Sequence, residues 1–359
     1  MEDLVGVRHR NLLADDLDRV VAQTERLWQD LRGARILVTG GTGFVGSWLL
    51  ESLLWANERF RLDASAVVLT RNARAFSARA PHLAAHSALS LREGDIRTFG
   101  WDGGSLSHVI HAGTETRTPG NRDDRLRIFD TIVEGTRRTL EIAERAGATR
   151  FLMTSTGAVY GRQPAELRHI PEDYAGAPDP TRAQLAGAQA KRAAETLCAV
   201  YAEGALHTTI ARCFAFVGPY LPLDQHLAIG NFIRDALALK PIRVDGDGTP
   251  QRAYMYAADL AAWLWTILLR GDRGQAYNVG SEDAISIADA ARAVARAAGG
   301  GSEVVIARTA ASGAAERYVP STKRARTDLG VSMTVDFAAA LTRTLDWHRA
   351  GGGLNHGAN

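Results

Sequence analysis

At 359 residues, with 46% hydrophobic and 23% charged side chains, the chain is long enough for one large α/β unit and a smaller lobe. Its 42 basic and 40 acidic side chains nearly cancel, which removes the electrostatic case for nucleic acid or an anionic membrane as partner. The two cysteines, Cys198 and Cys213, stand in apolar segments without ligand-spaced neighbours, and no apolar run reaches membrane-spanning length. Buried thiols and a cytoplasmic protein are expected, with no leader, metal site or membrane association.

Residues 1–33 form an extension in which Leu17, Val20, Val21, Thr24, Leu27 and Leu31 share one side of a helical wheel, with Asp15 or Asp16 expected as the cap. Such a helix docks on the main domain or on a second subunit. Arg35 to Val38 is then a short β-branched, apolar run suited to a buried parallel strand. Thr39 to Gly46 reads Thr-Gly-Gly-Thr-Gly-Phe-Val-Gly, and Phe44 to Trp55 is apolar at helical spacing. Strand, glycine turn and helix follow without a gap, the context a dinucleotide site requires. Gly40 permits the tight turn, Gly43 lets the main chain approach a pyrophosphate, and Gly46 lets helix lie close on strand. The turn around Thr42 and the amides opened by Phe44 and Val45 at the helix N-terminus would hold the phosphates.

Further strands are expected at Ala66 to Leu69, Ser107 to His111, Arg150 to Thr154 and His207 to Ala211, alternating with helices. That order gives a Rossmann-type, doubly wound parallel sheet, with ligands at the carboxyl ends of its strands. Arg71, after the second strand, matches the charge of the 2'-phosphate of NADP, so NADP is favoured over NAD; a solvated loop arginine is the alternative. Asp95, in Gly94-Asp95-Ile96-Arg97, is placed to accept a hydrogen bond from adenine or to serve as a turn residue.

The chain resembles the extended short-chain dehydrogenase/reductase family in its nucleotide-sugar epimerase and dehydratase branch, from about Arg35 to Trp347. The motifs that carry this are Gly40, Gly43 and Gly46; Gly94-Asp95-Ile96; Val109-Ile110-His111-Ala112; Glu134-Gly135-Thr136; Val159-Tyr160-Gly161; Lys191 to Glu195; Gly218-Pro219; Gly246-Asp247-Gly248-Thr249 with Arg252; Asp259; and Tyr277-Asn278-Val279-Gly280. The resemblance implies a dinucleotide-binding domain over 34–215 and a mainly substrate-binding α/β lobe over 216–350 whose segments interleave with it, while the Gly- and Asn-rich composition of 351–359 predicts a flexible tail. It also implies a nucleotide-diphosphate sugar as substrate, NAD(P) as cofactor contacted by Ile96, His111 and Ala112 as well as the glycine turn, and a homodimer. Thr156 matches the family's substrate-orienting hydroxyl and Lys191 its lysine, which grips the nicotinamide ribose and makes a neighbouring tyrosine more acidic. Asn231, Arg252 and Arg317 match the substrate site, the two arginines clamping the diphosphate.

Four departures qualify that picture. The family's tyrosine stands one helical turn before the lysine, where this chain has Gly187. Tyr174, His111, Glu115 and His226 are the groups whose sequence positions allow them to stand in for it. Gly157 and Ala158 replace the Asp-Glu pair of 4,6-dehydratases and the Glu of decarboxylases, which leaves 4-epimerase or 4-ketoreductase chemistry. Ile132 and Ala215 replace asparagines, altering substrate placement. The competing expectation is a cofactor-binding homologue that has lost catalysis.

Overall fold

The computed structural model describes residues 11–114, 120–225, 227–309 and 315–352. Six parallel strands open the fold: β1 (Arg35–Thr39), β2 (Ser65–Thr70), β3 (Leu89–Glu93), β4 (His108–His111), β5 (Arg150–Thr156) and β6 (His207–Cys213). Four short strands then leave the sheet: β7 (Ala215–Val217), β8 (Ile242–Val244), β9 (Gln251–Arg252) and β10 (Tyr254–Tyr256). β11 (Ala276–Val279) returns to it, and β12 (Ile285–Ser286), β13 (Val304–Ile306) and β14 (Arg317–Tyr318) complete the smaller lobe.

The central sheet runs β11-β6-β5-β4-β1-β2-β3, every neighbouring pair parallel. Strand order therefore reverses between β1 and β4, and the crevice this opens at their carboxyl ends faces the glycine turn. β1 reads as an unbroken apolar run because both faces are covered, and Ile36, Leu37 and Val38 are buried. The helix Phe44–Phe60 buries Trp48, Leu49, Leu50 and Leu53, and Leu49, Leu50 and Leu53 share a core with Leu260, Trp263 and Leu264 of the helix Ala257–Arg270. On the other side of the sheet the helices Arg122–Arg145 and Ala186–Tyr201 pack on each other and on Leu37, Val109 and Phe151. The smaller lobe uses β9 as the middle strand of a three-stranded sheet, antiparallel to β12 and parallel to β14.

The extension is a helix, Ala14–Gln23, followed by a 3-10 segment, Glu25–Leu31, instead of one continuous helix. Leu17, Val20, Val21, Leu27 and Leu31 are buried against the rest of the same chain, so this segment docks internally. The expected acidic cap is corrected. Leu13 holds the N-cap position with no side-chain cap, and both aspartates lie inside the first turn. Asp16 instead faces inward, where its carboxylate accepts from Tyr256 Oη at 2.6 Å and pairs with Arg343 at 2.8 Å. A carboxylate turned to the core needs such partners, which a wheel diagram does not reveal.

Both cysteines are free; Cys198 is buried against Met153 and Cys213 is half-buried at the end of β6. Among the described residues no helix is long and apolar enough to cross a membrane.

Candidate active site

The glycine turn joins β1 to the helix Phe44–Phe60, and its three glycines meet three different constraints. Gly40 has φ +69°, and a Cβ there would lie 2.5 Å from the Ala112 carbonyl beyond β4. A Cβ on Gly46 would lie 2.3 Å from the Gly40 carbonyl oxygen, so only glycine lets the helix sit this close to the turn. Gly43 caps the helix in extended conformation, with no side-chain oxygen competing for the amides of the first turn, Phe44 and Val45 among them. The result is an exposed backbone cradle of N–H groups at a helix N-terminus, which fits a pyrophosphate. Arg79 steadies it by donating to the Thr42 carbonyl.

Around the cradle, Ile96 packs on Gly113 and Gly135, which are small enough to admit it. The carboxylate of Asp95 accepts from the Arg97 guanidinium at 2.7 and 2.9 Å, and these bonds hold it down to about 2. Asp95 is thus oriented by Arg97 within its own turn, with acceptor capacity left on Oδ2, and Arg71, exposed after β2, adds a weaker attraction. The His111 ring is committed. Its Nδ1 meets Thr39 Oγ1 and its Nε2 meets Thr136 Oγ1, each at 3.0 Å, and burial pushes it down to about 3. Neutral and doubly hydrogen-bonded, that ring joins β1, β4 and the helix Arg122–Arg145, and has no nitrogen left for proton transfer.

Lys191, on the helix Ala186–Tyr201, is fully buried and donates from Nζ to the Thr154 carbonyl at 2.7 Å. Burial pushes its ammonium down to about 8. Thr156 ends β5 at the same edge of the sheet as the cradle, and its Oγ1 accepts from the Ala158 amide at 3.2 Å. One turn before Lys191 stands Gly187, where, among the described residues, a Cβ would meet only Ile128, at 3.5 Å. The described residues leave space for a side chain there, and the side chain is absent.

Three motif residues that are far apart in the chain close into one network behind this corner. Tyr160 Oη donates to Asn278 Oδ1 at 2.8 Å and accepts from Arg212 Nη1 at 2.8 Å, while Arg212 pairs with Glu195 at 2.7 Å. With burial pushing it up to about 12, Tyr160 is a structural phenol. Tyr174 packs beside Tyr160, with ring centroids 6.3 Å apart. Glu115 and His226 lie outside the described residues.

Among the described residues, Tyr318 on β14 reaches Thr156, its Oη lying 3.2 Å from Thr156 Oγ1. Sequence reasoning passed over it because 162 residues separate the two. The available signal was indirect: Gly157 is bare. A Cβ on Gly157 would lie 2.6 Å from the Phe214 ring and 2.8 Å from Tyr318 Oη, so the tyrosine occupies the space that a residue-157 side chain would need.

The arginines expected to act together are separated by strand register. β9 pairs with β14 so that Arg252 stands beside Tyr318, and Gln251 beside Arg317. Because side chains alternate along a strand, Arg317 points away from the face that carries Arg252. Arg252 lies 5.7 Å from the Tyr318 ring centroid and donates to Glu316 at 2.8 Å. Asn231 sits in the first turn of the helix Ala228–Leu237, where its Oδ1 accepts from Arg234 at 3.0 Å.

Comparison with known proteins gives the same placement for the chain. A model described as the NAD dependent epimerase/dehydratase family matches residues 36–280. UDP-glucuronic acid decarboxylase 1 of Xenopus tropicalis is 29% identical over 329 residues, covering 90% of this chain and 74% of that protein. UDP-glucuronic acid decarboxylase 2 of Arabidopsis thaliana is 30% identical over 268 residues; the match covers 73% of this chain and 57% of that longer protein. Among solved structures, the dTDP-glucose 4,6-dehydratase DesIV of Streptomyces venezuelae, crystallised with NAD, is 25% identical with a TM-score of 0.74, covering 89% of this chain and 98% of that one.

Proposed function

Because the chain belongs to the NAD-dependent epimerase/dehydratase family, we propose that it is an NAD(P)-dependent enzyme acting on a nucleotide-diphosphate sugar by redox chemistry at C4, as a 4-epimerase or 4-ketoreductase. The observation that carries this reading is the shared edge of the sheet. The glycine cradle, the buried Lys191 ammonium and the Thr156 hydroxyl all lie at the carboxyl ends of β1 and β5. A nicotinamide dinucleotide bound there supplies the hydride acceptor or donor.

The chain's own residues do the rest. Main-chain amides after Gly43 neutralise the pyrophosphate, and Lys191, fixed by the Thr154 carbonyl, presents a positive charge beside the reacting centre. Thr156 orients the substrate oxygen. Arg252, on the lobe's central strand, offers a guanidinium for a substrate phosphate. Arg71 favours NADP, since its charge follows the second strand where the 2'-phosphate would lie.

The sequence relatives include decarboxylases and a dehydratase, yet at Gly157 the close approach of Phe214 and Tyr318 leaves no room for the acidic side chain that such chemistry uses after the hydroxyl residue. That supports a reaction confined to C4. Gly187 supports a second reading, a cofactor-binding homologue without catalysis, because it removes the helix-borne acid/base.

Incubation of the purified chain with NAD(H) or NADP(H) and a panel of UDP- and dTDP-hexoses and their 4-keto forms, read by mass spectrometry beside Gly187→Tyr, separates the two. A new sugar from the native chain excludes the second reading, whereas product from Gly187→Tyr alone establishes it. A native chain that binds no nicotinamide nucleotide overturns both. The homodimer is proposed through the helices Arg122–Arg145 and Ala186–Tyr201, which leave Leu126, Phe129 and Val200 exposed. Sedimentation equilibrium tests it, and a monomer at assay concentration refutes it.

A further inference from the structure

We propose that Tyr318 is the proton donor of this site, delivering its phenolic proton to the C4 oxygen of a 4-keto nucleotide sugar from the C-terminal lobe, in place of the tyrosine missing at Gly187. This rests on the reading just given and deepens it, because it names the group that exchanges the proton at the substrate oxygen.

Three observations meet at this side chain. Tyr318 Oη lies within hydrogen-bond distance of the Thr156 hydroxyl, the group that would hold the same substrate oxygen. The contact exists only because residue 157 is glycine, since any Cβ there would collide with the phenol and with Phe214. Phe214 also packs on the Tyr318 ring, with centroids 4.7 Å apart, which fixes the ring beside Thr156. The absence of a side chain at Gly157 and the presence of a phenol beside Thr156 are thus one structural fact. The charged and titratable groups around the phenol are Arg252 on β9, near its ring, and Cys213 at the end of β6, whose carbonyl lies 3.5 Å from Oη.

Burial pushes Tyr318 up to about 12, against hydrogen bonding to Thr156 and the attraction of Arg252. At neutral pH the phenol carries its proton, the form needed when a C4 ketone is reduced, and the same group takes the proton back in the reverse direction. As the substrate's C4 carbonyl accepts hydride from a bound reduced nicotinamide, its π electron pair moves onto oxygen, and that oxygen takes the proton from Tyr318. One C–H and one O–H bond form at the sugar, the nicotinamide C–H bond, the C=O π bond and the phenol O–H bond break, and a solvent proton restores the phenol. The net change is ketone, reduced nicotinamide and one proton to alcohol and oxidised nicotinamide.

The test compares the full-length native chain with Tyr318→Phe and Gly187→Tyr, using NADPH or NADH and a UDP- or dTDP-4-keto-6-deoxyhexose. Cofactor binding is followed by fluorescence, tyrosine perturbation by ultraviolet difference spectroscopy, and turnover by cofactor oxidation. Tyr318→Phe is expected to bind the cofactor as the native chain does and to lose the tyrosine difference signal that the keto sugar induces. It should reduce the native rate by about 10² to 10⁴. A Phe variant that retains the difference signal, or turns over at the native rate, overturns the assignment while leaving the enzyme reading intact. Turnover by Gly187→Tyr but not by the native chain also overturns it. A native chain that binds neither cofactor defeats the underlying reading and the assignment with it, and the fluorescence arm identifies that case separately.

Discussion

The glycine turn after β1 and the proposed catalytic corner after β5 lie at the same end of one sheet but are built differently. The turn is a contiguous segment of backbone, with one residue of positive φ and two close approaches that any Cβ would block. The corner is assembled from side chains on β5, on the helix Ala186–Tyr201 and on β14, the last in another lobe. A backbone site survives only while its glycines survive. A side-chain site can lose a member at Gly187 and regain a hydroxyl from elsewhere, because it depends on where atoms meet and not on which segment carries them. Cofactor binding and catalysis therefore have separate vulnerabilities in this chain.

Gly46→Ala is expected to break the first region most severely. The new Cβ would lie 2.3 Å from the Gly40 carbonyl oxygen, so the helix must move off the turn. Overpacking of this kind costs about 1–3 kcal/mol, and nicotinamide nucleotide affinity should fall roughly ten- to hundredfold. Thermal unfolding and a fluorescence titration measure the two effects; unaltered binding would show that the cradle is not where the cofactor sits.

Lys191→Met probes the second region through pH. Burial lowers the lysine from 10.5 to about 8, so between those values the folded chain binds fewer protons than the unfolded chain, and this group's contribution to stability rises with pH. The stability of the native chain relative to Lys191→Met should shift in the native direction by up to about 3 kcal/mol as pH goes from 8 to 10.5. Below pH 8 the difference should be flat. Denaturant unfolding at a series of pH values tests this, and a pH-independent difference would mean that the ammonium is solvated.

Arg71→Ala has the smallest expected effect, since the residue is exposed. It should weaken NADP binding about tenfold and leave NAD nearly unchanged. Equal losses for both cofactors would remove the reason for favouring NADP.

Much of the cofactor region was legible in the sequence because its cause is local. Ile36 to Val38 form a strand buried on both faces, Gly40 needs the left-handed region, and Phe44 onward has helical spacing, all within a short stretch of chain. The extension's apolar stripe was legible for the same reason, although its helix ends at Gln23 and Asp16 serves Tyr256 and Arg343 instead of a cap. Less local roles were harder to read. Asp95 is held by Arg97 two residues away, and the His111 ring by threonines on two other elements, partners that no local pattern announces. Arg252 and Arg317 fell into separate faces through the register of β9 with β14, and no spacing along the chain encodes register.

Local steric rules were enough to read strand, turn and helix in their order, and with them the doubly wound sheet and the glycine cradle. Period, backbone freedom and burial act over a few residues, so a linear pattern carries them. The missing tyrosine at Gly187 and the bare Gly157 were equally visible, but only as absences. Their consequence depends on the return of the chain 162 residues after Thr156, which brings the Tyr318 hydroxyl into the space that Gly157 leaves open. That meeting is a matter of packing between distant segments, and it exists only in the folded molecule.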